Sequence, residues 1–199
     1  MDRPHIAIIY DESLPESMFR DFVDDLETDQ LRILLESRPP HGAQACLEWF
    51  IFPVVAVWIA KPYFDAFFGE MGKDHYSRLA KRLGETTTKV ISKARIEPVL
   101  VGTPGKLKKQ NPYTLAFSIY AEVDSALRFK LLLPKHDESN DYGEIVEVFL
   151  EFLAEFHSGS KSLEDIGYDT NTKPMNGLIF VHVNPLTRKV EWLDPMSKL

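Results

Sequence analysis

The sequence predicts a single α+β domain over residues 1–199, with a mostly antiparallel sheet of about five to six strands and about three to five helices packed on one face. Three observations support this class. Two segments have the apolar spacing of amphipathic helices, several runs after residue 94 are rich in strand-forming residues, and the two patterns alternate irregularly without a repeat or a linker. With 199 residues and 44% apolar content, the chain can bury one sizeable core.

The segment before residue 41 predicts a strand and then a helix. Residues 5–10, HIAIIY, form the continuous apolar run that is typical of a strand buried on both faces. Ser13 and Glu16 then have the spacing of a capping box. The apolar residues that follow repeat every four positions, as in an amphipathic helix: Leu14, Met18, Phe22 and Leu26. The next run, QLRILLESRPP, fits either a second strand or a continuation of the helix.

Residues 43–92 lack strict alternation, so we expect a long aromatic-rich helical region there, with breaks near Pro53 and Pro62 and an end near Gly84. Only twelve uncharged residues separate Glu48 from Lys61, whereas a transmembrane helix needs about 20 apolar residues. We therefore interpret this region first as core helix, and alternatively as a lipid contact or a protein-binding groove. Its candidate hydrophobic contacts are Trp49, Trp58, Tyr63, Phe64 and Phe67.

The C-terminal half predicts strands, one helix and a hairpin. The strand-like runs are RIEPVLVG, YTLAFSIYAEV and LRFKLLLP. Residues 141–159 then combine a wide apolar stripe with an acidic ridge formed by Glu144, Glu147, Glu151 and Glu155, which predicts an amphipathic helix. The last run, LIFVHVNPLTRKVEWLD, predicts a terminal hairpin.

The net charge of −7 argues against general nucleic-acid binding, but the charge is unevenly distributed. Residues 73–110 contain ten Lys or Arg against three acids, whereas residues 135–170 contain ten acids against two lysines. We expect two oppositely charged surfaces on one domain. VLVGTPGKLKK lacks the glycine and Ser/Thr positions of a P-loop. The candidate anion contacts are Lys73, Arg78, Lys81, Arg82, Lys106, Lys108 and Lys109.

The densest polar chemistry lies in GEMGKDHYSRL, with the weak catalytic candidates Glu70, Asp74, His75 and Tyr76. An imidazole beside a carboxylate suits acid/base chemistry, but we favour the polar end of a helix as the interpretation. The single Cys46 excludes an intramolecular disulfide and a cysteine-ligated zinc site. The six histidines lack ligand spacing, so we expect neither a metal nor a cofactor.

Taken together, these patterns favour a cytoplasmic, non-enzymatic interaction or regulatory domain that binds another protein. The N-terminal apolar run of five residues is too short for a signal peptide, which supports the compartment. One alternative is a peripheral membrane protein that uses residues 47–68 and a basic helix at 73–83 on an anionic surface, or that binds a phosphate-containing ligand. A second alternative is a small hydrolase with His75 as base. The sequence does not indicate an oligomeric state.

Overall fold

The computed structural model describes residues 3–29, 31–40, 48–66, 72–93 and 111–195, and it confirms the α+β class. The strands are β1 (Ile6–Asp11), β2 (Ile33–Arg38), β3 (Val55–Ile59), β4 (Tyr113–Glu122), β5 (Arg128–Pro134), β6 (Leu178–Asn184) and β7 (Lys189–Trp192). The α-helices are α1 (Ser17–Leu26), α2 (Lys61–Ala66), α3 (Gly72–Ile91) and α4 (Tyr142–His157). No helix in these described ranges is both long and apolar enough to cross a membrane.

The seven strands form one mixed sheet in the order β2-β1-β3-β4-β5-β6-β7. Three neighbouring pairs are parallel, namely β1 with β2, β3 with β4 and β5 with β6, and the other three pairs are antiparallel. The predicted mostly antiparallel sheet of five to six strands is therefore wrong in these details. A parallel pair needs a long crossover connection, and each of the three contains helix: α1, then α2 with α3, then α4.

The prediction of a helical region over residues 43–92, with breaks near Pro53 and Pro62, is wrong between these two prolines, where β3 occupies Val55–Ile59. This strand lies between β1 and β4, and Val55, Ala56 and Val57 are fully buried there. A central strand is apolar on both faces, and within a longer apolar segment such a run cannot be distinguished from buried helix by periodicity. Residues 43–47, 67–71 and the predicted strand run RIEPVLVG at 95–102 lie outside the described residues.

Several local predictions are confirmed. The run at 5–10 overlaps β1 at residues 6–10, the segment 31–38 contains a strand rather than more helix, and the last two strands pair as an antiparallel hairpin. The capping box of α1 does not form: Glu16 caps the helix without a side-chain hydrogen bond, and the backbone N–H of Ser13 donates to Asp11 Oδ1 at 2.9 Å. Helix α4 has a true cap, since Asp141 Oδ1 accepts from the backbone N–H of Glu144 at 2.9 Å.

The main core lies between one face of the sheet and the helices α1, α3 and α4. Alternate strand residues point into it, with Ile8 on β1, Val57 on β3 and Ile119 on β4 fully buried. The helices contribute their apolar stripes, for example Phe22 on α1 and Phe149 on α4. Burying one such side chain contributes about 1.5–3 kcal/mol, so this layer supplies most of the stability.

The opposite face of the sheet carries a stack of rings and cations that we call the aromatic ladder: Arg38, Phe52, Tyr120, Trp58 and Arg128. The ring centroids of Trp58 and Tyr120 are 4.4 Å apart at an interplanar angle of 9°, and those of Phe52 and Tyr120 are 6.0 Å apart. The guanidinium carbon of Arg38 lies 3.6 Å from the centroid of Phe52, and that of Arg128 lies 5.7 Å from the centroid of Trp58. Both ends of the ladder therefore have cation–π contacts.

Lys130 anchors a chain segment to this face. Its side chain is 1% exposed, and Nζ donates to the carbonyl oxygens of Trp49 and Ile51 at 2.7 and 2.8 Å. The same ammonium lies 5.4 Å from the centroid of Tyr120. Buried charges are tolerated when they are hydrogen-bonded, and here the bonds hold the segment of Trp49 against β5.

Lys130→Met is expected to lower the free energy of unfolding by about 2–4 kcal/mol, because it removes the donor from two buried carbonyl groups. Urea denaturation followed by circular dichroism measures the change. Lys135→Met, at an exposed position five residues along the chain, serves as the control and should be neutral. Equal urea midpoints for both variants would contradict the anchoring role of Lys130.

Candidate functional site

The candidate site is a groove of about 650 Å³ between α3 and α4, on the side of the helices away from the sheet's aromatic ladder. Its lining on α3 runs from Tyr76 to Lys89, and on α4 it includes Gly143 and Glu147. Thirteen residue steps of helix correspond to about 20 Å. The groove is therefore long enough for a segment of polypeptide.

A pair of glycines brings the two helices together beside the groove. A Cβ atom on Gly84 would lie 2.9 Å from the Cα atom of Gly143, which is closer than real Cβ atoms approach backbone. The prediction that Gly84 ends the helix is thus wrong, because α3 continues to Ile91 and uses the missing side chain for close packing. Ser77 and Ala80 add further small residues to the lining.

The groove is where predicted basic and acidic surfaces meet. Lys81, Glu85 and Lys89 border it from α3. Glu147 borders it from α4, together with Asp141 at the N-cap of that helix. Within the described residues, Lys81 and Glu147 are exposed and form no ion pair. Both signs of charge therefore remain available to a ligand along the same cleft.

The other predicted anion contacts are differently placed. Arg82 is engaged by two carboxylates, with Nε 2.7 Å from Asp25 Oδ2 and a second nitrogen 3.0 Å from Glu85 Oε2. Hydrogen bonding to Arg82 holds the pKa of Asp25 below its usual value. Arg78 is exposed and donates to the backbone oxygen of Asp25 at 3.3 Å. The side chain of Lys73 and residues 106–109 lie outside the described part of the chain.

The weak catalytic candidates do not converge on one point. Asp74 is exposed, whereas the neighbouring His75 is 3% exposed and Tyr76 lines the groove. Nε2 of His75 lies 3.2 Å from the carbonyl oxygen of Leu26, to which an Nε2–H donates. Burial, with a smaller contribution from the charge of Arg78, lowers the pKa of His75. Glu70 lies outside the described residues.

The predicted hydrophobic contacts are mostly buried. Tyr63 and Phe64 on α2 are fully buried, Trp49 is buried, and Trp58 is half-buried within the aromatic ladder. These positions favour the core interpretation of the aromatic segment. Phe67 lies outside the described residues.

A buried polar cluster around Tyr63, His75 and His157 was not predicted from the sequence. The ring of His157 stacks on Phe64 with centroids 4.4 Å apart, and the ring of His75 lies 6.1 Å from that of Tyr63. Three of their atoms, Tyr63 Oη, His75 Nδ1 and His157 Nε2, are buried without a hydrogen-bond partner. Burial lowers the pKa of His157 and raises that of Tyr63. The sequence feature that could have indicated this cluster is the apolar stripe of α4 next to His157.

A second polar chain was also missed, because its members lie on three different strands. Tyr113 Oη lies 3.2 Å from His182 Nδ1, and His182 Nε2 lies 3.8 Å from Glu191 Oε2. Burial raises the pKa of Tyr113 to about 12 and lowers that of His182. Glu191 also accepts from Asn184 Nδ2 at 2.9 Å and from Thr187 Oγ1 at 3.1 Å, so the chain ties the β6–β7 hairpin together.

In the ranges that the structure describes, no group of three or more His, Cys, Asp or Glu residues is arranged to hold a metal ion. Comparison with known protein families, with curated proteins and with solved structures finds no match.

Gly84→Ala is expected to lower the free energy of unfolding by about 1–2 kcal/mol, because the cost of overpacking against Gly143 exceeds the gain in helix propensity. Thermal and urea unfolding measure the change. Gly143→Ala is the matched comparison, since its Cβ would meet only the side-chain oxygen of Asp141, at 3.2 Å, and should cost less. A Gly84→Ala protein as stable as wild type would show that the helices are not held this closely.

Stability is expected to decrease on acidification because of the buried imidazole of His75. In the unfolded chain this group takes up a proton near pH 6.5, whereas burial keeps its folded pKa lower. Its contribution is therefore complete above pH 6.5 and is lost, at up to about 1.4 kcal/mol per pH unit, as the pH falls toward the folded pKa.

Urea midpoints measured between about pH 7.5 and about pH 5 test this dependence. His75→Gln keeps an amide donor for the Leu26 carbonyl but does not titrate, so its stability should fall less steeply. His136→Gln, at an exposed position, is the control and should retain the wild-type slope. The idea fails if His75→Gln and wild type lose stability in parallel.

Proposed function

We propose that the chain is a cytoplasmic, non-enzymatic interaction domain that binds a segment of a partner protein in the groove between α3 and α4. The observation that carries this proposal is the meeting of charges of both signs at one cleft. Lys81 and Lys89 border one wall together with the acidic Glu85. Asp141 and Glu147 border the other wall. Such a cleft discriminates between partners by the pattern of their charges.

The dimensions of the groove support a polypeptide ligand. Its length of about 20 Å along α3 accommodates about 13 residues of helix or about six residues of extended chain. Its lining combines small residues with an aromatic side chain, Tyr76, at one end. An amphipathic segment laid into a cleft between two helices is a common mode of peptide recognition.

The two alternative functions have less support. A general base must come within hydrogen-bond reach of its substrate, whereas His75 is buried against Leu26 and does not line the groove. A lipid-binding surface needs exposed aromatic side chains, whereas Trp49, Tyr63 and Phe64 are buried. Binding of a partner segment in the groove requires neither an accessible His75 nor exposed aromatic side chains.

Selection from a displayed peptide library against the immobilised full-length chain tests the proposal. Binding of the enriched peptides should fall about tenfold in Lys81→Glu/Lys89→Glu, since two favourable charge contacts become repulsive. Peptides selected anew against this double variant should carry more basic residues than those selected against wild type. Fluorescence anisotropy with labelled peptides gives the affinities.

Lys173→Glu, an exposed change of the same sign away from the groove, is the control and should leave affinity unchanged. Two results would overturn the proposal. One is a failure to enrich any peptide, and the other is a set of peptides that bind the groove variants and wild type equally.

A further inference from the structure

The tip of the β6–β7 hairpin carries an unusually exposed apolar side chain. Leu186 is 92% exposed, compared with 49% for Met175 and 41% for Leu34, the other exposed large apolar residues in the described ranges. An isolated surface leucine needs no explanation by itself. Leu186 differs from such a leucine because the turn that holds it is rigid and lies beside the groove.

The turn that holds Leu186 is fixed by side-chain hydrogen bonds. Asn184 Oδ1 accepts from the backbone N–H groups of Leu186 and Thr187 at 2.9 and 3.3 Å. The carbonyl oxygen of Asn184 accepts from Arg188 N at 2.8 Å, and Arg188 adopts a left-handed φ of 52°. Glu191 binds both Asn184 and Thr187 from the next strand. A preorganised tip loses little conformational entropy when it binds.

The tip lies beside the helix end that borders the groove. A guanidinium nitrogen of Arg188 is 2.7 Å from Glu144 Oε1, and Glu144 follows the groove residue Gly143. The neighbouring Lys189 is exposed and forms no ion pair within the described residues. Its charge is complementary to that of Glu147 on the α4 side of the groove.

We propose that the groove is occupied by the hairpin tip of a second copy of this chain, with Leu186 inserted beside Ala80 and Lys189 facing Glu147. The inference rests on the proposed function and names its partner. Because tip and groove flank the same end of α4, one two-fold axis lets each copy insert its tip into the other. The contact then closes as a dimer instead of continuing as a fibre.

Sedimentation velocity of the full chain over a range of concentrations tests the dimer. Wild type should show a monomer–dimer equilibrium, and Leu186→Asp should weaken it at least about tenfold. Leu34→Asp introduces the same change at another exposed leucine and should leave the equilibrium unchanged. Circular dichroism spectra establish that each variant is folded.

A charge swap tests the orientation of the contact. Lys189→Glu and Glu147→Lys should each weaken the dimer about threefold, and the two together should return it to within about twofold of wild type, since the contact reforms with its charges exchanged. The inference would be overturned by a wild-type chain that stays monomeric at its solubility limit. It would also be overturned by a dimer that Leu186→Asp does not weaken. If such a chain still binds selected peptides in the groove, the proposed function stands and only its partner is wrong.

Discussion

The close contact of Gly84 with Gly143 is the constraint on which the candidate site depends. With a Cβ atom only 2.9 Å from the opposing Cα, any larger residue at position 84 would push α3 and α4 apart. The contact holds α3, which carries Lys81 and Lys89, against α4, which carries Glu147. Two surfaces that are separate in sequence become the two walls of one groove, so the electrostatics of the site follow from a packing requirement.

The sheet explains why this contact is available. Three parallel strand pairs each require a crossover that contains helix, and α1, α3 and α4 all pack on the same face. Neighbouring crossovers then lie side by side, which places α3 next to α4. The opposite face is organised differently, by the aromatic ladder and by the bonds of Lys130 to Trp49 and Ile51.

Local periodicity predicted the elements that have one apolar face, such as α1, α4 and the terminal hairpin. It failed for β3, because a short apolar run within a longer apolar segment cannot be distinguished from buried helix by periodicity. It failed for Gly84, because a glycine that stops a helix and one that packs against another helix look alike in sequence. Tyr76 was predicted as a weak catalytic candidate, Lys81 as an anion contact, and the acidic ridge as one face of a helix. Their convergence depends on which helices are neighbours, and no local pattern encodes that adjacency.

The most direct test of the groove as the binding site is a backbone-amide NMR titration of the full chain with the tightest selected peptide. We expect the largest shift changes at groove residues, among them Ala80, Gly84 and Gly143, and no changes in the aromatic ladder. Changes centred on Trp58 and Arg128, with the amides of the groove unmoved, would contradict this expectation and would place recognition on the opposite face of the sheet.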